Sequence, residues 1–111
     1  MRTFVNLHVF AEVSSASEAK AIGSKVSDAL KCFGEVLVTD VKQYWKIPEY
    51  FEFSIELSDS SLSESDCQRV ADILSQGWND VGGSLIWNQE ADAVLCDPKV
   101  RWANLEYIEM A

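Results

Sequence analysis

The sequence predicts an α+β fold, a two-layer sandwich in which a mostly antiparallel sheet of about five strands carries two helices on one face. Three observations predict it. Residues 48–57, PEYFEFSIEL, alternate Phe51, Phe53, Ile55 and Leu57 with Glu52, Ser54 and Glu56, the two-residue period of a strand with one dry and one wet face. Residues 15–34 and 63–77 instead repeat apolar side chains every three or four positions, the period of an amphipathic helix. The order is β-α-β-β-α-β-β, and two helices of similar length that each join strands pack most economically side by side, in the manner of a split βαβ unit.

The first strand, residues 3–13, turns Val5, Leu7, Val9, Ala11 and Val13 inward and leaves Asn6, His8 and Glu12 with Phe4 and Phe10 on the other face. Ser15 and Glu18 match a capping box, after which Ala19, Ile22, Val26, Ala29, Leu30 and Phe33 form the buried stripe of a helix ending at Gly34. Residues 35–44 contain Val36, Leu37, Val38 and Val41, which predict one second strand that turns through Lys46, Ile47 and Pro48 into the PEYFEFSIEL strand near the sheet centre. Ser63 is the expected cap of the second helix, with Glu64 and Asp66 in its first turn, Leu62 stapled onto Cys67, and Cys67, Val70, Ala71 and Leu74 facing in. Gly82 and Gly83 lead into a short fourth strand at 84–87. Residues 88–97 form a polar loop in which Ala91, Ala93 and Val94 fold back, and 100–108 alternate Ala103, Leu105 and Tyr107 with Trp102, Asn104 and Glu106. The pattern leaves open whether the last two strands join the main sheet or form a separate hairpin. The face away from the helices is expected to present Asn6, His8, Glu52, Ser54 and Glu56 with Phe4 and Phe10 at its margins, a composition that suits a protein interface.

Length and composition point to one domain, residues 1–111, with enough apolar material to bury a core without staples. No apolar run approaches a membrane span and the N-terminal residues read as a strand, so a cytoplasmic protein is expected. Cys32, Cys67 and Cys96 are odd in number and widely spaced, which argues against disulfides or a zinc site; Cys32 and Cys67 are expected as small buried hydrophobes. The charge is lopsided. The whole net charge of −9 lies in residues 51–111, where three basic residues face twelve acidic ones. Such a surface repels nucleic acid and membrane phosphates and attracts basic partners.

Motifs for catalysis are missing. His8 could act as a base if Glu52 or Glu56 oriented it, but the same residues serve more simply as an exposed polar strand face. The serines occupy turn and cap contexts without a GxSxG elbow, and the glycines make neither a phosphate loop nor a dinucleotide fingerprint. Asp59, Glu64 and Asp66 are explained by a helix start rather than a metal. No enzyme, cofactor or metal is therefore expected. Trp78 and Trp87 are expected in the core; Trp45, in an aromatic turn beside acidic residues, is either an edge cover or an interface anchor.

Three segments, YWKIPEYFEFSIEL, GWNDVGGSLIWN and DPKVRWANLEYIE, resemble the small immunity proteins encoded beside bacterial polymorphic toxins, including those of contact-dependent growth inhibition. The resemblance implies a cytoplasmic protein that binds the C-terminal domain of one cognate toxin, one to one, and blocks its active site. The toxin is often a nuclease acting on transfer RNA or DNA. The family shares no invariant catalytic signature, so no active residues carry over. The expected partner-binding residues are Trp45 as anchor, Glu49, Glu52, Glu56 and Asp59 around the central strand, and Glu90 and Asp92 in the long loop. The alternative is a small-molecule-binding regulatory module of ferredoxin-like fold, with a ligand on the open sheet face or at a dimer interface.

Overall fold

The computed structural model describes residues 2–39, 41–58, 62–90 and 93–110. Strand β1 (Arg2–Glu12) leads into helix α1 (Ala16–Leu30), a single 3-10 turn (Lys31–Phe33), and the short strands β2 (Glu35–Val38) and β3 (Lys42–Gln43). Then follow β4 (Tyr50–Ser58), α2 (Glu64–Leu74), the hairpin β5 (Asn79–Val81) and β6 (Ser84–Asn88), and β7 (Val100–Met110). The seven strands form one antiparallel sheet in the order β2-β4-β1-β7-β6-β5, with β3 pairing β4 beside β2.

This is the predicted two-layer α+β sandwich, and its topology is that of two interleaved split βαβ units. Strands β1 and β2 both run antiparallel to β4, so they are parallel to each other with β4 between them and α1 as the crossover. In the same way β4 and β7 flank β1 and are joined through α2 and the β5–β6 hairpin. Both final strands join the main sheet. β7 lies beside β1 because Val100, Ala103 and Leu105 supply a fully dry face, which only a position over the helices can bury.

The strand count exceeds the expectation for two local reasons. The expected second strand is broken at Thr39, whose hydroxyl accepts from the Ser54 N–H at 3.0 Å and donates to the Ser54 carbonyl at 3.0 Å. A side chain there occupies the ladder position of a backbone group, so β2 and β3 are separate pieces. In the second place, Gly82 and Gly83 are the two-residue turn of a hairpin rather than a lead-in. Their φ values of 61° and 92° are the positive angles that a tight hairpin turn of the primed type requires. Strand β5 was illegible because Asn79, Asp80 and Val81 are all exposed and carry no alternation.

Both helices begin as expected. The Ser15 hydroxyl accepts from the Glu18 N–H at 3.3 Å, but the Glu18 carboxylate turns to the Ser14 hydroxyl and Lys99 instead of closing the box. In α2 the capping box is complete, with the Ser63 N–H on Asp66 at 2.9 Å. Helix α1 stops at Leu30, and the tighter 3-10 turn that follows turns Cys32 to solvent, contrary to the expectation of a buried thiol. Cys67 is buried as expected. Burial, with the nearby carboxylates of Glu64 and Glu106 acting in the same direction, pushes its thiol up to about 11. In the native protein, thiol titration with an aromatic disulfide reagent should therefore label Cys32 quickly and Cys67 only on unfolding; equal rates would contradict this packing.

The loop between β6 and β7 is anchored at a residue its sequence did not single out. Leu95 is completely buried, whereas Val94, expected to fold back, is exposed. Beyond it, Asp97 accepts from the Lys25 ammonium at 2.6 Å and from the Lys99 N–H at 2.9 Å. Burial opposes the charged form of Asp97, yet these donors hold its carboxyl below the usual value of 3.8. A lowered folded value stabilises the fold above the unfolded value and is lost as pH falls through the folded one. Asp97→Asn should thus cost on the order of 1 kcal/mol or less near neutral pH, and the cost should shrink as pH falls below 3.8 through the lowered folded value, read as urea midpoints across that range.

Candidate protein-binding face

With both helices on one side, the even-numbered residues of β1 and β4, and those of β7 from Trp102 onward, form the open face; the register shift at Phe10 and Ala11 turns Val100 inward. Cross-strand pairing sets them in rows. Glu56, Asn6 and Glu106 share one; Ser54, His8, Asn104 and Ile86 the next; Lys42, Glu52, Phe10, Trp102 and Asn88 the third. Side chains in one row are neighbours by geometry, so the register decides which chemistries meet.

The middle of the face is a polar network. The His8 imidazole lies 2.8 Å from the Ser54 hydroxyl through Nδ1 and 3.2 Å from a Glu52 carboxylate oxygen through Nε2. A carboxylate oxygen only accepts, so Nε2–H donates to Glu52, and in the neutral imidazole of that tautomer Nδ1 accepts from the Ser54 O–H. Glu52, expected to be wet, is only 8 % exposed. Lys42, Thr39, Phe53 and the members of this network enclose a cleft of about 280 Å³ over it. Hydroxyl, imidazole and carboxylate in line resemble part of a nucleophilic relay. Ser54, however, is in mid-strand with both backbone groups committed to Thr39, which leaves its amide unable to receive an oxyanion. The arrangement braces the sheet face. Beside it, the Asn104 amide donates to Glu106 at 3.2 Å while its buried carbonyl oxygen has no hydrogen-bond partner among the described residues.

One end of the face is aromatic. Ring centroids run from His8 to Phe10 at 4.7 Å, Phe10 to Tyr44 at 4.8 Å and Tyr44 to Trp45 at 6.3 Å. The β3–β4 hairpin produces this line. The Tyr44 N–H donates to the Tyr50 carbonyl at 2.8 Å, the Tyr50 N–H to the Ile47 carbonyl at 2.9 Å, and the Gln43 amide to the Pro48 carbonyl at 2.8 Å, so the tip is closed on itself. Tyr44 is thereby placed over Phe10. Phe10, Tyr44, Ile47, Tyr50 and Trp102 enclose an apolar cleft of about 330 Å³.

The expected site residues divide. Trp45, 79 % exposed, and Glu49 are together on the hairpin tip. Glu90 is exposed in the turn after β6, at the same end of the sheet but on its far flank, where the Gln89 N–H meets the Arg101 carbonyl. Glu56 is half-buried at the opposite end, about 13 Å along the strand from Glu52. Glu52 is committed to His8, while Asp59 and Asp92 lie outside the described residues. Phe10, expected at a margin, is the middle of the aromatic line between His8 and Tyr44. Tyr44, Ile47 and Tyr50 were visible as an aromatic turn, but nothing in the sequence pairs Trp102 with them, because that contact follows from the β1–β7 register.

Trp87 is in the core as expected, and Trp78 is half-buried, its N–H donating to the Ala71 carbonyl at 2.9 Å and the Ser75 carbonyl at 3.1 Å at the end of α2. Among the described residues no cluster of three or more His, Cys, Asp or Glu side chains could hold a metal ion, and no helix is long and apolar enough to cross a membrane. The chain has no match among known protein families, characterised proteins or solved structures.

Proposed function

We propose that this protein is a stoichiometric inhibitor of a basic protein domain, and that the domain is a cognate bacterial toxin, a nuclease by the resemblance of its aromatic segments. One observation carries the proposal: the open sheet face ends in an uncovered aromatic hairpin tip beside Glu49, on a chain with a net charge of −9. Large rings with little entropy to lose act as anchors, and a surplus of carboxylates speeds capture of a basic partner. A nuclease is basic where it grips phosphates, so an acidic face would occupy that grip. The binding residues in this reading are Trp45, Glu49, Glu56 and Glu90.

The test begins with affinity capture by the tagged protein from its native source. Recovery of a basic domain at one-to-one stoichiometry, whose toxicity the protein suppresses, is the expected result. Recovery of the protein alone, or only with copies of itself, would overturn the proposal. With the partner in hand, Glu49→Lys combined with Glu56→Lys should weaken binding by about tenfold or more, mostly through a slower and less salt-sensitive association rate. A second reading is favoured by the 330 Å³ cleft, which falls at the small end of ligand-sized pockets. It is a small-molecule-binding regulatory module, and it predicts self-association with a ligand-dependent melting shift.

A further inference from the structure

We infer that the aromatic cleft formed by Phe10, Tyr44, Ile47, Tyr50 and Trp102 is a receptor for one arginine side chain presented by the basic partner. This rests on the reading that the open face meets a basic protein, and it names the group that enters.

Four aromatic rings and one isoleucine line the cleft, so its walls offer π-faces, two phenol hydroxyls and one indole N–H at most, and no charged side chain. A cleft of that kind accepts either an apolar side chain or a weakly hydrated cation. The surroundings decide between them. Glu52 is the cross-strand neighbour of Phe10, Glu12 is the cross-strand neighbour of Tyr50, and Glu49 directly precedes Tyr50. Glu52 and Glu12 are already paired with His8 and Arg101, so it is Glu49, exposed on the hairpin tip, and the net charge of −9 that favour a cation over an apolar guest.

The basic residues nearest in the chain lie elsewhere: Lys42 lines the neighbouring cleft with His8 and Glu52. Lys46 places its ammonium 5.1 Å above the Trp45 ring, outside the cleft. Arg101 is held by Glu12 at 3.1 Å and by the Pro98 carbonyl at 2.6 Å. Trp102 meanwhile remains 41 % exposed. Among cations, the planar guanidinium stacks on aromatic faces and gives up its hydration more easily than an ammonium, which selects arginine over lysine. Trp45, further out on the tip, then packs against the surface that carries the arginine.

The test uses the isolated chain and needs no knowledge of the partner. Acetyl-Gly-Arg-Gly-amide is titrated into labelled protein while the four indole N–H signals are followed by NMR, with the Trp102 signal assigned from Trp102→Leu. The same titration is run with citrulline in place of arginine, a neutral group of nearly the same shape. The expected result is a saturable shift of the Trp102 signal, with the citrulline peptide about five- to tenfold weaker. In Trp102→Leu, a dispersed spectrum should persist while the response of the tyrosine rings is lost. Equal binding of the two peptides, no saturable shift, or shifts confined to residues away from Trp102 would each overturn the inference. The two proposals fail separately. A partner captured by wild type and by Trp102→Leu with equal affinity removes the cleft and leaves the inhibitor; a cleft that selects arginine in a protein that captures no partner does the reverse.

Discussion

Trp87→Ala will lower the unfolding free energy by about 3–5 kcal/mol, a large fraction of what a domain of this size possesses. Trp87 is 2 % exposed, the largest fully buried side chain, and it enters the core from β6, next to the sheet edge. Its cross-strand neighbour is Ala103, a small residue that leaves room beside it for the indole. The indole N–H donates to the Gln76 carbonyl at 3.1 Å just past α2, so one side chain ties β6 to the end of that helix. Truncation leaves a cavity and an unpaired carbonyl together. The measurement is urea unfolding followed by far-UV circular dichroism, since removing a tryptophan alters the fluorescence signal itself. A loss below about 1 kcal/mol would mean that the site collapses around the smaller residue.

Glu52→Lys will cost about 2–3 kcal/mol of stability, and this separates it from the other carboxylates on the same face. The replacement removes the acceptor for the His8 Nε2–H and sets a second cation opposite Lys42 in a nearly closed position. A melting comparison with Glu56→Lys checks the distinction, because Glu56 is half-buried, less covered than Glu52, and should shift the midpoint little. The consequence for function is direct. Loss of partner binding in a Glu52 variant reports on folding as much as on contact, whereas Glu49 and Glu56 report on the face itself. Equal stability of Glu52→Lys and Glu56→Lys would place Glu52 back among the surface residues.

The strength of each expectation followed how local its cause was. Helix α2 was legible almost to the residue, since Ser63, Asp66 and the Cys67, Val70, Ala71, Leu74 stripe are set by spacing within a few positions. The inward faces of β1 and β4 were equally legible, because a half-buried strand must alternate. The end of α1 was less so. Phe33 continues the helical spacing on paper, but the chain tightens into a 3-10 turn after Leu30 and Cys32 is left in solvent.

For the candidate site, the sequence by itself determined the materials: an acidic second half, an aromatic turn at Tyr44 to Tyr50, and a polar outer face containing His8, Glu52, Ser54 and Glu56. Only the tertiary structure decided how they combine. Glu52 became buried because His8 and Lys42 arrive from strands on either side of β4. Trp102 joined Phe10 because β7, last in the chain, pairs with β1, the first. Thr39 broke a strand because its hydroxyl met Ser54, fifteen residues away. Periodicity records which way each side chain points along its own strand. The identity of its neighbour depends on strand order and register, which burial over the whole sheet selects at once.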